Sequence, residues 1–248
     1  MLTAERRAHL LSVLARDGKV LAKVVAADLG LSEDTIRRDL RDLAEEGLLQ
    51  RVYGGALPAA PAAQPYLART TLATASKERV ARTAVALIEP GATVVLDGGT
   101  TALALARALP ASLRATILTP SPSVAVALAE TTAVEIVMLG GVVHRHSLVV
   151  GGALAAEQIA RVRADVFLLG VTGVSAAAGL TTGEVEDAAT KRALAARSAQ
   201  TWVLASAEKI GAASAHDVLP LAEVAGVVSD GEDHPELRAL RRAGVTVL

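Results

Sequence analysis

Leu31-Ser32-Glu33-Asp34-Thr35-Ile36-Arg37-Arg38-Asp39-Leu40 is the stretch that decides how this chain reads. Ser32 stands where a helix N-cap belongs, because its hydroxyl can accept a hydrogen bond from a backbone N–H of the first turn. Glu33 and Asp34 then suit the positive end of the helix dipole. The spacing predicts a helix from Glu33 to Glu46, stopped at Gly47, with Ile36, Leu40 and Leu43 on one face. Arg38 and Arg41 fall on the opposite face. Asp34 and Thr35 sit at its N-terminal end, and Arg37 lies on the flank.

Working outward, a helix begins at Thr3, turns Leu10, Leu11 and Leu14 inward, and stops at Asp17-Gly18. A second helix is predicted at Ala22–Leu29, ended by Gly30. Three helices of this kind form a helix-turn-helix. The second braces, and the third carries Ser32, Asp34, Thr35, Arg37, Arg38 and Arg41 to a major groove of double-stranded DNA. Arginine suits phosphate and guanine because its planar fork donates two hydrogen bonds at once. Leu48–Gly55 reads as a short hairpin, a wing that places Arg51 near the DNA backbone. The competing reading is a solvated helix face used for protein contact, and Asp39, Asp42, Glu45 and Glu46 speak for it.

The 248 residues are 52% hydrophobic and 21% charged, which excludes a disordered chain. The formal net charge is −1, so no overall field draws the protein to nucleic acid and any DNA binding needs a local patch. The first 57 residues carry nine basic and nine acidic side chains, so that segment is itself neutral. Absence of cysteine removes disulfides, thiol catalysis and thiolate metal sites. Aromatic residues at 2% argue against RNA modules that stack bases. The charged N-terminus and the broken hydrophobic runs predict neither a signal peptide nor a membrane span, and the expected location is the cytoplasm.

The boundary lies at Leu57-Pro58-Ala59-Ala60-Pro61-Ala62-Ala63-Gln64-Pro65, a stiff connector that reads as having nothing to bury. It separates a head, residues 1–57, from a linker and lead-in, 58–75, and a larger domain, 76–248. In the larger domain, predicted helices (Lys77–Ile88, a helix through Leu109, Val124–Glu130, Leu154–Val162, Glu184–Ala199, Glu236–Arg242) alternate with short apolar runs. Those runs are Thr93–Leu96, Thr116–Leu118, Val134–Leu139, Asp165–Leu169, Thr201–Ala205, Gly226–Ser229 and Val245–Leu248. The alternation predicts an α/β class, with a mainly parallel sheet covered on both faces. Ligands of such sheets bind outside the carboxyl ends of the strands. Gly98 and Gly99 admit a ligand close to the backbone there. Thr100 and Thr101 open a helix whose free N–H groups attract an anion, and Lys209 can supply counter-charge. The alternatives stay open: a Gly-Gly turn serving only tight packing, Thr119 and Ser121 as helix caps, Gly140-Gly141 as a turn, Lys191 solvated beside Arg192, and Lys209 paired with Glu208 at the surface.

The run TIRRDL, followed by GLL-x-R-V and then GGA at Gly54-Gly55-Ala56, resembles the DNA-binding head of DeoR-type bacterial transcription regulators, which commonly have His where this chain has Tyr53. The larger domain resembles the effector domain of the same family. The matches are Ser76-Lys77-Glu78-Arg79, Leu96-Asp97-Gly98-Gly99-Thr100-Thr101, Thr119-Pro120-Ser121, Leu139-Gly140-Gly141, Gly173-Val174-Ser175, Gly179-Leu180-Thr181-Thr182, Lys191-Arg192 and Lys209-Ile210-Gly211. The resemblance implies a winged helix-turn-helix followed by a domain similar to ribose-5-phosphate isomerases. It implies a homodimer or homotetramer on operator DNA, most simply a repressor of carbohydrate-metabolism genes, controlled by a phosphorylated sugar. It places the phosphate on Gly98, Gly99, Thr100, Thr101 and Lys209. Asp97, Thr119, Ser121 and Lys191 fall nearer the sugar, with Gly140 and Gly141 also in the effector site. Three positions depart from the family: Pro120 replaces the usual Asn, Ser206-Ala207-Glu208-Lys209-Ile210 replaces Asp-Ser-Ser-Lys-Phe, and Ser229-Asp230 replaces Thr-Asp.

The rival function is a sugar-phosphate isomerase with an appended head. Proton abstraction beside a carbonyl needs a positioned base. Where similar isomerases have a Glu-Lys pair, this chain has Thr190-Lys191, with Glu186 and Asp187 one turn earlier. No enzyme activity and no cofactor are expected. A metal site is not expected either: His144 and His146 are the only close histidine pair, and no third ligand stands at a suitable spacing.

Overall fold

The computed structural model describes residues 2–231 and 234–248. The head contains α1 (Thr3–Asp17), β1 (Val20–Leu21), α2 (Ala22–Leu29), α3 (Glu33–Glu45), β2 (Leu49–Val52) and β3 (Gly55–Pro58). Gly18 and Gly30 end the first two helices in the left-handed conformation that glycine adopts without a Cβ penalty. Leu10, Ile36, Leu40 and Leu43 are fully enclosed and make the small core. The expected wing is present as β2 and β3, paired antiparallel from Leu49↔Pro58 to Val52↔Gly55. A third strand, β1, adds to β3 at Val20↔Ala56. Gly55 is required there, since a Cβ would stand 1.7 Å from the Val20 carbonyl oxygen.

The connector does bury side chains, contrary to the expectation from its composition. Ala60 and Ala62 are buried, and Ala59 forms a parallel bridge with Ala213 of the larger domain. The small residues there allow close backbone approach rather than signalling a free tether. A short helix follows, α4 (Tyr66–Arg69), then α5 (Thr74–Val85).

The larger domain continues with β4 (Thr93–Leu96), α6 (Thr100–Ala108), β5 (Thr116–Thr119), α7 (Pro122–Thr131), β6 (Glu135–Met138), β7 (Val142–His144), β8 (Val149–Gly151) and α8 (Ala153–Ile159). Then come β9 (Ala164–Gly170), β10 (Gly173–Ser175), β11 (Gly179–Thr182), α9 (Val185–Ala195), β12 (Ser198–Leu204), β13 (His216–Asp217), β14 (Gly226–Val228) and α10 (Pro235–Arg242). Six strands form a parallel sheet in the order β14-β12-β9-β4-β5-β6. Two apolar cores lie against this sheet, one centred on Phe167 and Leu169 and the other on Leu96, Leu105 and Leu168. This is the α/β class expected from strand–helix alternation.

Three details differ from the sequence reading. Residues 198–199 belong to β12 rather than to the preceding helix, because Ser198 pairs with Ala164 of β9. The expected strand at 245–248 is reduced to a bridge at Val227↔Val247. An extra antiparallel sheet, β10-β11-β13, and the hairpin β7-β8 sit beside the main sheet. Beyond β4 the chain moves to β5 and β6 on one side, then returns to β9, β12 and β14 on the other. The order therefore reverses between β4 and β9, which is where an open α/β sheet leaves a crevice for a ligand.

Candidate functional sites: a DNA head and an anion cleft

In the head, the Ser32 hydroxyl caps α3 by accepting from the Thr35 N–H at 3.2 Å and lies 2.9 Å from the Thr35 hydroxyl. Asp34, Arg37, Arg38, Arg41 and Arg51 are all exposed, and Thr35 is half-buried. Arg37 pairs with Glu33 across one turn at 2.7 Å, both side chains largely in solvent. Arg38, Arg41 and Arg51 have no acidic partner among the described residues. Three of the four acids that counted toward a protein-contact face are turned to the first helix, while Glu45 stays exposed on the face of Arg38 and Arg41. Asp39 is buried and paired with Arg6, and Arg7 takes Asp42 and Glu46. The first helix thus neutralises the back of α3, and its outer face carries Arg38 and Arg41 between exposed Asp34 and Glu45. Tyr53 stands fully exposed at the wing tip beside Arg51.

A small cleft, with about 40 Å³ of accessible space, opens at the reversal point between β4 and β9. One wall is the turn Gly98-Gly99 and the start of α6, Thr100-Thr101; another is Gly170-Val171-Thr172 after β9. Gly98 must lack a side chain, since a Cβ would lie 2.0 Å from Cγ1 of Val149 in β8. Gly99 has φ +94° and leads into α6 with no side-chain cap, so the first N–H groups of the helix are left to other partners.

Lys209 lies beneath this turn, 4% exposed, rather than in a surface ion pair with Glu208. Its Nζ donates to Thr101 Oγ1 at 3.0 Å and to the Leu204 carbonyl at 3.1 Å. Burial pulls its ammonium down to about 7; Glu208 opposes this, while Arg69, Lys77 and Lys191 add to it. An anion in the cleft favours the charged form.

Asp97 and Lys191 are buried too, at 1% and 5% exposure. The Asp97 carboxylate joins the ends of β4 and β9: it accepts from Gly98 N–H at 2.7 Å, from Gly170 N–H at 2.9 Å and from Lys191 Nζ at 2.6 Å. Lys191 also pairs with Asp187 at 3.0 Å, and Asp187 accepts from the Thr182 hydroxyl at 2.5 Å. Burial works against the Lys191 charge, but Asp187 and Asp97 outweigh it and push the ammonium up to about 12. The solvated alternative for Lys191 is thereby corrected.

Of the sequence-chosen effector residues, Gly98, Gly99, Thr100, Thr101, Lys191 and Lys209 meet in the cleft, and Asp97 supports them from behind. Thr119, Ser121, Gly140 and Gly141 are not in its lining. Thr119 and Ser121 are wholly enclosed: Thr119 Oγ1 accepts from Ser121 N–H, and Ser121 Oγ lies 3.0 Å from Ser123 Oγ. The Ser121 side chain makes no cap bond to α7. Gly140 is held by Gln158 Oε1 at 2.9 Å, and Gly141 passes the Gly151 carbonyl too closely for any Cβ. Ser121 backs the cleft turn, with its Cβ 3.3 Å from where a Gly98 Cβ would stand, and its hydroxyl donates to the Leu148 carbonyl at 3.4 Å. Sequence reasoning missed Arg69, Ser147, Thr182, Glu184 and Asp187 in the lining. His144 ends β7 while His146 lies in the turn beyond, and no group of three potential metal ligands occurs among the described residues.

Two family models match the chain: a DeoR-like helix-turn-helix domain over residues 6–60, and a DeoR C terminal sensor domain over residues 72–231. The chain belongs to the DeoR family. This DeoR-family regulator is 32% identical over 251 residues to a putative aga operon transcriptional repressor of Escherichia coli O157:H7, covering 99% of this chain and 93% of that one. It is 30% identical to the HTH-type transcriptional regulator GlpR of Haloferax volcanii, covering 100% and 98%. It is also 30% identical to the glycerol-3-phosphate regulon repressor of Escherichia coli K12, covering 85% and 84%. Among solved structures, ribose 5-phosphate isomerase A from Neisseria gonorrhoeae aligns at a TM-score of 0.42 and 17% identity, covering 56% of this chain and 54% of that one. Among the described residues no helix is long and apolar enough to cross a membrane.

Proposed function

We propose that this DeoR-family regulator represses carbohydrate-metabolism genes in the cytoplasm. It binds double-stranded operator DNA as a homodimer or homotetramer, and a phosphorylated sugar in the β4/β9 cleft governs that binding. The observation that carries the effector reading is the convergence of an uncapped helix start, Gly98–Thr101, with buried Lys209 in one cleft. Two of the acids at this site are committed, since Asp97 and Asp187 both hold Lys191, and Glu184 remains in the lining. Phosphate is then bound by backbone N–H groups, the Thr100 and Thr101 hydroxyls and the Lys209 ammonium. Asp97 and Lys191 position the turn rather than touch the ligand, and Glu184 and Thr182 face the space where sugar hydroxyls fit. The operator reading rests on the exposed Arg38, Arg41 and Arg51, and twofold assembly follows from pairing half-sites.

The isomerase alternative has little support in the site. Asp187 receives bonds from Thr182 and Lys191, which hold it as a structural partner rather than a free base. The deciding experiment is a fluorescence-anisotropy titration of the full-length protein on its own promoter region, with and without a panel of phosphorylated sugars. Preference for that region over random duplex, changed by one of the panel, is the expected result. No preference under any of these conditions overturns the regulator reading, and turnover of ribose 5-phosphate revives the isomerase.

A further inference from the structure

The connector between head and sensor does more than join them. Its backbone is pinned to the sensor at both ends. Ala60 N–H donates to the Ala213 carbonyl at 3.2 Å, and Tyr66 N–H donates to the His146 carbonyl at 2.7 Å. The Tyr66 hydroxyl donates to Ser123 Oγ at 3.1 Å. Beyond α4, buried Lys77 donates to the carbonyls of Arg69 (2.7 Å) and Leu72. These bonds fix the path of residues 60–72 and aim one connector side chain, Arg69, into the cleft.

Arg69 has a setting that a structural arginine does not need. Its guanidinium lies over the Gly99 turn, with one terminal nitrogen 3.5 Å from where a Gly99 Cβ would stand. Its Nε is enclosed and has no hydrogen-bond partner among the described residues. The Ser147 hydroxyl, in the same lining, is enclosed and equally unpartnered. Among the described residues no carboxylate lies within ion-pair distance of Arg69; the Tyr66 ring lies 5.8 Å from its guanidinium carbon. Burial pulls the guanidinium below its ordinary value, and Asp187, Tyr66, Glu184 and Asp97 only partly restore it. A buried cation with an unused donor is costly unless something pairs with it. A phosphate on the Gly98–Thr101 turn would meet both needs, because an arginine fork offers two parallel donors to its oxygens.

We propose that Arg69 is a phosphate ligand, so that the interdomain connector itself forms one wall of the effector site. This rests on the phosphate reading of the cleft. The ligand then bridges the Gly98–Thr101 turn to the chain that leads to the DNA head, and binding stabilises the docked connector by its differential affinity for that state. The signal needs no relay through the sensor core.

The test uses the full-length protein in phosphate-free buffer, with inorganic phosphate as probe. Calorimetric affinity is measured for wild type, Arg69→Ala, Arg69→Gln and Lys209→Ala, and amide exchange is followed in residues 58–72. Both Arg69 variants are expected to bind phosphate at least ~10-fold more weakly, the loss of one charge-assisted contact. In wild type, saturating phosphate is expected to slow exchange in the connector. Lys209→Ala, at concentrations that saturate it, is expected to keep that protection because Arg69 remains. Arg69→Gln keeps the side chain's bulk, so it decides the matter if the alanine variant folds poorly. Wild-type affinity in Arg69→Gln, or connector exchange unchanged by saturating phosphate, overturns the proposal while leaving the cleft intact. No phosphate binding by wild type overturns the cleft reading and this inference with it.

Discussion

If Lys209 is the ammonium beneath the phosphate, effector binding must take up a proton. Its folded value of about 7 means that about half the free protein carries a neutral Lys209 at pH 7 and about 3% a charged one at pH 8.5. A phosphate ester already carries most of its second charge at pH 7, since that group titrates near 6. Affinity should therefore fall about 15-fold between pH 7 and 8.5, roughly 1.6 kcal/mol. Calorimetry in buffers of different ionisation heat counts the protons: about half a proton per ligand at pH 7, rising toward one at pH 8.5. The ligand is the sugar phosphate selected by a thermal-shift screen. Lys209→Arg keeps its charge throughout and should abolish the slope. A flat wild-type profile without proton uptake refutes the assignment.

Stability without ligand moves the opposite way. The folded value lies below the unfolded one, roughly 10.4, so the unfolded chain binds more protons between about 7 and 10.4 and stability rises with pH across that window. Lys209→Met should raise the melting temperature at pH 7 while losing the phosphate response, as measured by calorimetry. Arg38→Ala should weaken specific operator binding by roughly 1–3 kcal/mol and leave effector affinity unchanged; equal operator affinity would count against α3 as the reading helix. Asp97→Ala should cost about 3–5 kcal/mol in denaturant unfolding, because it strips Lys191 of a buried partner and leaves the Gly170 N–H unpaired. Gly98→Ala should cost roughly 1–3 kcal/mol by overpacking against Val149, and a double variant with Val149→Ala should recover part of that loss; no recovery would place the strain elsewhere.

The head was legible almost residue by residue because its signals are local. Gly18, Gly30 and Ser32 mark helix ends through their own backbone or hydroxyl chemistry, and Ile36, Leu40 and Leu43 share a face by period alone. The Gly98–Thr101 turn was legible for the same reason, as an apolar run followed by glycines and hydroxyls. What stayed hidden depends on partners distant in the chain. Lys191 reads as solvated beside Arg192 until folding brings Asp97 to it from 94 positions away. Arg69 follows a Pro/Ala-rich stretch whose composition suggests a stiff connector with nothing to bury, whereas Lys77 bonds its carbonyl and His146 and Ser123 bond the nearby Tyr66. Thr119 and Ser121 carry the right chemistry, but both are buried and spend their hydroxyls on local bonds. The small antiparallel sheet escaped notice because its strands are short runs broken by glycine.

The pairing of Arg6 and Arg7 with Asp39, Asp42 and Glu46 reaches beyond the shape of the head. With Arg6 and Arg7 committed internally, and Arg16 and Arg37 paired along their own helices, Arg38, Arg41 and Arg51 are the arginines of the head without an ion pair among the described residues. Roughly three displaced counterions per head imply a shallow salt slope for one head, near −3, and about twice that when two act together. A single head would then grip arbitrary duplex feebly. In the proposed dimer, tenancy of an operator would depend on the two heads acting in concert, so a small change in how they are held apart would be enough to vacate it.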